Sequence, residues 1–504
     1  MLARVLSATL VGVEAALVRV EVDVTSGLPT FTTVGLPDSA VRESRERVRT
    51  AIRNAGFVFP LERITVNLAP AGLRKEGASF DLPIALGILS ATGSLKPRAV
   101  RSIAVVGELA LDGRIRAVRG ALAVALACGR RGISRLLVPV TNAAEASATG
   151  GVHVLAAATL AHAVAVLNGE AESTPAPAVA DPEDHEVEED FSEVRGQAHA
   201  KRALEIAAAG GHNALLIGPP GVGKTMLARR LPSILPPLTS EETTEVSAIW
   251  SVGGLLNGRS LLRTRPFRAP HHTVSVAGLI GGGGPPHPGE VTFAHRGVLF
   301  MDELPEFQQH VLEALRQPLE DGHVTVARAA GLVDFPARFQ LVAAANPCRR
   351  GCPSLDRCLC TPGERSRYLG RLSRPLLDRL DLHVELPTLT QAAMRGEDRE
   401  ESSATVRERV LRARDRQRAR YQGTALRVNA ELTARQLRRL CPVAAEAAQL
   451  LDAAMDRLGL SARGHDRVLK VARTIADLEG AQTISAVHCA EAIQYRSLDR
   501  PWRG

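Results

Sequence analysis

Hydrophobic and polar positions divide the chain into differently patterned stretches. Over residues 1–168, short apolar runs alternate with helical patterning. Ala16–Val24, Ile64–Leu68, Ile103–Val106 and Arg135–Val138 have the length and β-branched content of strands. Asp38–Ala55 and Phe80–Ala91 read as helices. Together they predict a compact α/β domain. Residues 169–190, GEAESTPAPAVADPEDHEVEED, are rich in Pro, Ala and acid and carry almost no large apolar side chain. They predict a flexible linker. Alternation resumes over 191–389, with apolar strands at Ala214–Ile217, Val298–Met301 and Gln340–Ala344, a doubly wound pattern. From 390 to 504 the pattern is helical, with helices expected at Thr405–Tyr421, Ala444–Leu458, Arg463–Glu479 and Ser485–Tyr495. This reads as a small helical lid. No internal repeat is visible.

Length and composition narrow the function classes. A chain of 504 residues exceeds one hydrophobic core, which agrees with several domains. Aromatics are only 3%, so base-stacking platforms are not expected to dominate a nucleic-acid contact. Lys and Arg outnumber Asp and Glu by 62 to 54, a basic excess that permits a polyanionic partner without demanding one. The apolar stretch Ala8–Val18 is interrupted by Glu14 and precedes no small-residue cleavage site, so no signal peptide is expected. No apolar run is long enough to span a membrane. Four of the seven cysteines crowd into Cys348–Cys360, unlike a spread disulfide framework, and the cytoplasm is the expected compartment.

The strongest chemical signal follows the strand at Ala214–Ile217. Gly218, Pro219, Pro220, Gly221, Val222, Gly223, Lys224 and Thr225 fit the P-loop pattern, and Met226 continues into the expected helix. Glycines let backbone N–H groups turn around phosphate oxygens, and the helix N-terminus adds partial positive charge. Lys224 would neutralise β- and γ-phosphate charge, while the Thr225 hydroxyl would bind Mg²⁺. The second signal is GVLFMDE, a strand ending in two carboxylates. Asp302 would hold Mg²⁺ and Glu303 would polarise the attacking water, two tasks at different points around the γ-phosphate. Asn346, at the tip of the third strand, could bond that water or the γ-phosphate, or could simply form a turn before Pro347. Arg379 and Arg463 could clamp developing phosphate charge. They could equally pair with Asp378 or Asp381, and with Asp466; spacing leaves this open.

Two further features carry alternatives. Cys348, Cys352, Cys358 and Cys360 could close a tetrahedral Zn²⁺ site or could form a reduced, partly buried loop. Between Arg395 and Arg420 nine arginines face six carboxylates. A solvated helix with i,i+4 pairs is the simpler reading, and a nucleic-acid-facing stripe through Arg412, Arg414, Arg416, Arg418 and Arg420 is the other.

The motifs DFSEVRGQ (190–197), the P-loop, PHHT (270–273), AHRGVLFMDE (294–303), RPLLDRLDLH (374–383) and SARGHDRVLKVARTIADL (461–478) together resemble the YifB/ComM family of bacterial Mg-chelatase-like AAA+ ATPases. The resemblance covers the whole chain. It implies ATP and Mg²⁺ as cofactors, Asn346 as sensor 1, Arg379 as an arginine finger for the next subunit's ATP, and Arg463 as sensor 2. Val194 and Gln197 would lie near adenine. It also implies a homohexameric ring and DNA as partner, with helicase activity in branch migration during natural transformation. A protein-remodelling motor like that of Mg-chelatase is the alternative. The stretch Leu255–Gly289 would be an insert in the second helix, and Gly322–Arg338 a hairpin before sensor 1, with Arg328 a candidate phosphate contact. Family members tend to begin the cysteine loop with a Cys-x-Cys pair, from which this chain departs at Arg349. The N-terminal domain resembles the Lon protease domain in LRKEGAS (73–79) and GELALDGR (107–114), an α+β fold. The matching region 117–124 has no lysine, and Arg119 cannot serve as a base. Ser79 would therefore lack its partner, and an inactive protease domain is expected.

Overall fold

The computed structural model describes residues 1–504 apart from 176–188, 285, 329–330, 353–357, 389–399, 459–460 and 497–504. Most of the expected linker, and Arg395 and Arg399, lie outside the described residues.

Two sheets organise the chain. The first has seven strands in the order Thr30–Val34, Arg63–Ala69, Glu14–Thr25, Leu2–Val11, Ile103–Val105, Arg135–Pro139 and His153–Ala157. Leu2–Val11 and Glu14–Thr25 form a long antiparallel hairpin, and the last three strands run parallel. Helix Asp81–Ala91 is buried along its entire length against this hairpin. That explains why its sequence is apolar all round. Three strands escaped the hydrophobic reading. Thr30–Val34 is an edge strand with no fully buried residue, Leu2–Val11 interleaves polar and apolar residues, and His153–Ala157 is only five residues long, two of them alanine.

The second sheet is parallel, ordered Phe267–Arg268, Val298–Met301, Gln340–Ala345, Ala214–Ile217 and Leu382–Glu385. Every residue of the three central strands is buried, as expected for a parallel sheet covered on both faces. The two outer strands were not expected. Phe267–Arg268 is only two residues long and lies in the stretch expected as an insertion. Before the third central strand, His323–Arg328 and Gly331–Pro336 form the antiparallel hairpin that the family resemblance implied within Gly322–Arg338. The side chain of Arg328 lies outside the described residues.

The C-terminal region is helical: Ser403–Arg420, Ala434–Leu440, Ala445–Leu458, Ala462–Glu479 and Ala486–Gln494. One hydrophobic cluster joins it to the parallel sheet, running from Leu216 and Val384 through Ala203 and Leu204 to Val410, Val468 and Ala472. The Arg-rich helix is neither fully solvated nor a free cationic stripe. Arg414 donates to Ala208 O (2.7 Å from Nη2), near the end of helix Ala198–Gly210. Arg416 donates to Asp477 O (2.6 Å), near the end of helix Ala462–Glu479. Guanidinium groups thus satisfy last-turn carbonyls where the helix dipoles are negative. Arg420 pairs with the buried carboxylate of Asp477. Arg418, 73% exposed, keeps an i,i+3 pair with Asp415.

Among the described residues, the seven-stranded domain touches the ATPase region at two places. Gly120 N–H donates to Ser251 O (2.9 Å), and the Ser251 hydroxyl donates to Glu145 (2.5 Å), at the end of helix Ser240–Gly253. Burial pushes the Glu145 carboxyl up, and the Ser251 and Asn142 bonds oppose that rise. The turn at Gly12 approaches Val333 of the hairpin.

Asp477 has no exposed side-chain surface and accepts from Arg420, Arg473 and Asn429. Asp477→Ala would leave the fully buried Arg473 without its carboxylate. Chemical denaturation should show a loss of about 3–5 kcal/mol.

Candidate nucleotide-binding site

Parallel register assembles the site. Ile217 pairs with Ala345, and Met301 pairs with Ala343. Gly218, Asp302 and Asn346 therefore leave their strands at one edge of the sheet. Gly221 (φ +79°) and Gly223 (φ +94°) take the left-handed conformation that glycine adopts without a Cβ penalty. They turn the chain into helix Lys224–Ile234, whose first turn receives no side-chain cap. Its free N–H groups and dipole form an anion cradle.

Lys224 is buried against this loop. Its ammonium donates to Gly218 O (2.6 Å), Pro219 O (2.9 Å) and Asn346 Oδ1 (3.0 Å). Burial draws its pKa below the usual lysine value, and Asp302 and Glu303 oppose that shift. The Thr225 hydroxyl donates to Asp302 Oδ2 at 2.7 Å. A free helix terminus, a cation and a hydroxyl–carboxylate pair are the donor set that fits nucleotide phosphates and Mg²⁺.

Glu303 sits in the left-handed region (φ +51°), an uncommon conformation for a residue with a side chain. Its N–H donates to Asp302 Oδ1 (2.9 Å), and its side chain is 54% exposed. His272 Nδ1 stands 3.9 Å from Glu303 Oε2. His272 packs on His271, with ring centroids 4.1 Å apart, and meets the edge of Phe307 at 6.4 Å. The residues 270–273 carry a family resemblance but had suggested no role for either histidine. Their only sequence signal is adjacency, because the strand Phe267–Arg268 that places them is too short to recognise.

Val194 and Gln197 are buried beside the P-loop. Gln197, itself left-handed at φ +53°, donates to Pro387 O (3.0 Å) and Val222 O (3.4 Å). Met226 is 45% exposed on the P-loop helix.

The two arginines lie elsewhere. Asn213 Nδ2 donates to Arg379 O (3.0 Å), and Leu382 pairs with Ala214. Arg379 therefore sits at the amino edge of the sheet, one four-residue strand (~13 Å) from the P-loop edge. It pairs with Glu320 rather than with Asp378 or Asp381, and its Nη1 donates to Pro375 O (2.5 Å). Its Nε has no hydrogen-bond partner among the described residues. Arg463 is exposed in the first turn of its helix. It lines with Arg379, Glu320, Arg467 and Lys470 a cavity of about 220 Å³ to which the P-loop contributes nothing. The neighbouring Asp466 has His465 as its ion-pair partner (3.4 Å). Asp381, 3% exposed, pairs with Arg467 and accepts from His212 Nδ1 (3.3 Å) and Asn213 N–H (3.3 Å).

A P-loop on a parallel sheet, an acidic pair two strands over with the Asn346 strand between, and a helical region sharing their core define an AAA+ ATPase. Residues 190–394 match the family described as magnesium chelatase, subunit ChlI. Residues 20–142 match subunit ChlI of Mg-chelatase, and 400–496 its C-terminal family. The chain is 46% identical to competence protein ComM of Haemophilus influenzae, over 99% of this chain and 98% of that protein. It is 45% identical to YifB of Salmonella typhimurium, over 97% and 96%. It is 28% identical to the magnesium-chelatase 38 kDa subunit of Rhodobacter capsulatus, over 59% and 83%. The chain belongs to the YifB/ComM family of Mg-chelatase-like AAA+ proteins. No helix among the described residues is long and apolar enough to cross a membrane.

Burial would raise the Asp381 carboxyl, but Arg467 and His212 overcome it and hold it well below the usual range. A depressed carboxyl contributes stability above its unfolded pKa, about 4, that is lost as pH falls through the folded value. Thermal unfolding should show Asp381→Asn less stable than wild type at pH 7, the gap closing only in acid below about pH 4.

Proposed function

We propose that the chain works as a ring, a homohexamer, in which ATP bound at one subunit's P-loop is completed by Arg379 and Arg463 of the next. The observation that carries this is the placement of both arginines in one cavity at the sheet edge opposite the P-loop. Neither can reach the phosphates of its own chain, so their chemistry requires a second copy. Lys224 and the helix N-terminus hold the phosphates, and Thr225 and Asp302 hold Mg²⁺. The metal, when bound, neutralises charge developing on the phosphate oxygens. Glu303 accepts the proton of the attacking water, Asn346 orients that water, and His272 holds the Glu303 carboxylate in place. Val194, Gln197 and Met226 flank the base.

The energy released remodels DNA, most simply as branch migration during natural transformation. The family resemblance, the basic excess and the hairpin His323–Pro336 support this reading. The N-terminal domain serves contact rather than proteolysis. In support, the region where the Lon resemblance would place a lysine docks on Ser251.

Lys224→Ala should abolish hydrolysis, and Glu303→Gln should bind nucleotide yet hydrolyse it about 10²–10⁴-fold more slowly. Arg379→Ala should lose about three orders of magnitude. Mixing it with Lys224→Ala subunits should restore part of the activity, because the latter still carry Arg379; no recovery would sink the shared site. Steady-state hydrolysis should rise with forked or four-way-junction DNA, and the stimulation should fade as salt increases. Hydrolysis indifferent to all DNA forms would favour a protein substrate.

A further inference from the structure

We propose that Cys348, Cys352, Cys358 and Cys360 form a tetrathiolate Zn²⁺ site that braces the strand tip bearing Asn346 against the P-loop. All four sulfurs lie within 4.8 Å of one another. Sulfurs at about 2.3 Å from a tetrahedral ion stand about 3.8 Å apart, so a small contraction closes the cage around one ion. All four cysteines are free thiols, and Cys348, Cys352 and Cys360 are buried. The donor set is soft and lacks the open position of a catalytic zinc. A four-iron cluster would need its sulfurs much farther apart.

Backbone groups already face the sulfurs as an outer shell does. Cys352 N–H donates to Cys348 Sγ (3.3 Å), and Leu359 N–H donates to Cys352 Sγ (3.4 Å). Such bonds stabilise thiolate charge and fix ligand orientation.

The cage sits where it can transmit rigidity. Cys348 is two residues beyond Asn346, whose side chain accepts from Lys224. Gly351, at φ +64°, packs so closely on the P-loop that a Cβ there would lie 2.6 Å from Pro220 Cγ. Cys360 directly precedes Thr361, which forms a capping box with Glu364 on helix Pro362–Leu369. The cysteine ligands thus leave from the strand tip and lead into this helix, while Gly351 between Cys348 and Cys352 rests on the P-loop. A cross-link there holds Asn346 and Pro220 at one spacing. This bracing rests on the nucleotide site but not on the DNA reading.

The test is elemental analysis of the full chain, purified under reducing conditions without a histidine tag. About one zinc per chain is expected, and Co²⁺ exchange should give the visible bands of tetrahedral thiolate-bound cobalt. Cys348→Ser/Cys358→Ser should carry no zinc. Should that variant fail to fold, the wild-type measurements stand alone. Chain without zinc that takes up neither Zn²⁺ nor Co²⁺ would overturn the site, as would bound iron or intrachain disulfides. Metal extraction should weaken binding of a fluorescent ATP analogue several-fold, with zinc restoring it. Unchanged nucleotide affinity after extraction would overturn the bracing role.

Discussion

Parallel pairing of Ala214–Ile217 with Gln340–Ala345, and of that strand with Val298–Met301, is the constraint on which the site depends. Parallel strands end on the same side, so one register brings a glycine loop, a carboxylate pair and an amide to one edge. A slip of one residue would swap side chains between the two covered faces of the sheet and move Asp302 away from Thr225. The burial of all three strands opposes such a slip. The Lys224 ammonium then links two of the strand ends, bonding the P-loop carbonyls and Asn346 together.

The opposite edge of the same sheet is organised around Asp381. This buried carboxylate meets His212 and Asn213 at the start of the P-loop strand and Arg467 on a lid helix. It therefore ties strand and lid together just beside Arg379 and Arg463. In the proposed ring, the two sheet edges would carry complementary halves of one chemistry. One offers an anion cradle, and the other offers cations that partly lack local partners. That division suits an assembly in which each subunit completes its neighbour.

Contact between the N-terminal domain and the ATPase region uses a helix end and the hairpin rather than the sheet. Ser251 and Glu145 join it to helix Ser240–Gly253, and the turn at Gly12 meets the hairpin. Both elements lead into the acidic strand or the Asn346 strand. Movement of either element would consequently be felt by the N-terminal domain.

Local patterning determined the central strands, the P-loop helix, the acidic pair and the main lid helices, because each depends on residues adjacent in sequence. A four-residue apolar run followed by glycines or carboxylates can be read without knowing its neighbours. Tertiary structure alone decided the rest. Phe267–Arg268 becomes a strand only because Val298–Met301 lies beside it. Arg379 finds Glu320, 59 positions away, instead of the adjacent aspartates. Arg414 and Arg416 turn inward because distant helices end where their guanidinium groups can reach. Four thiols spread over Cys348–Cys360 converge in space, which their spacing does not state. Each of these outcomes is a long-range contact, and charge pairing, capping and ligand geometry depend on distances in space that sequence spacing does not contain.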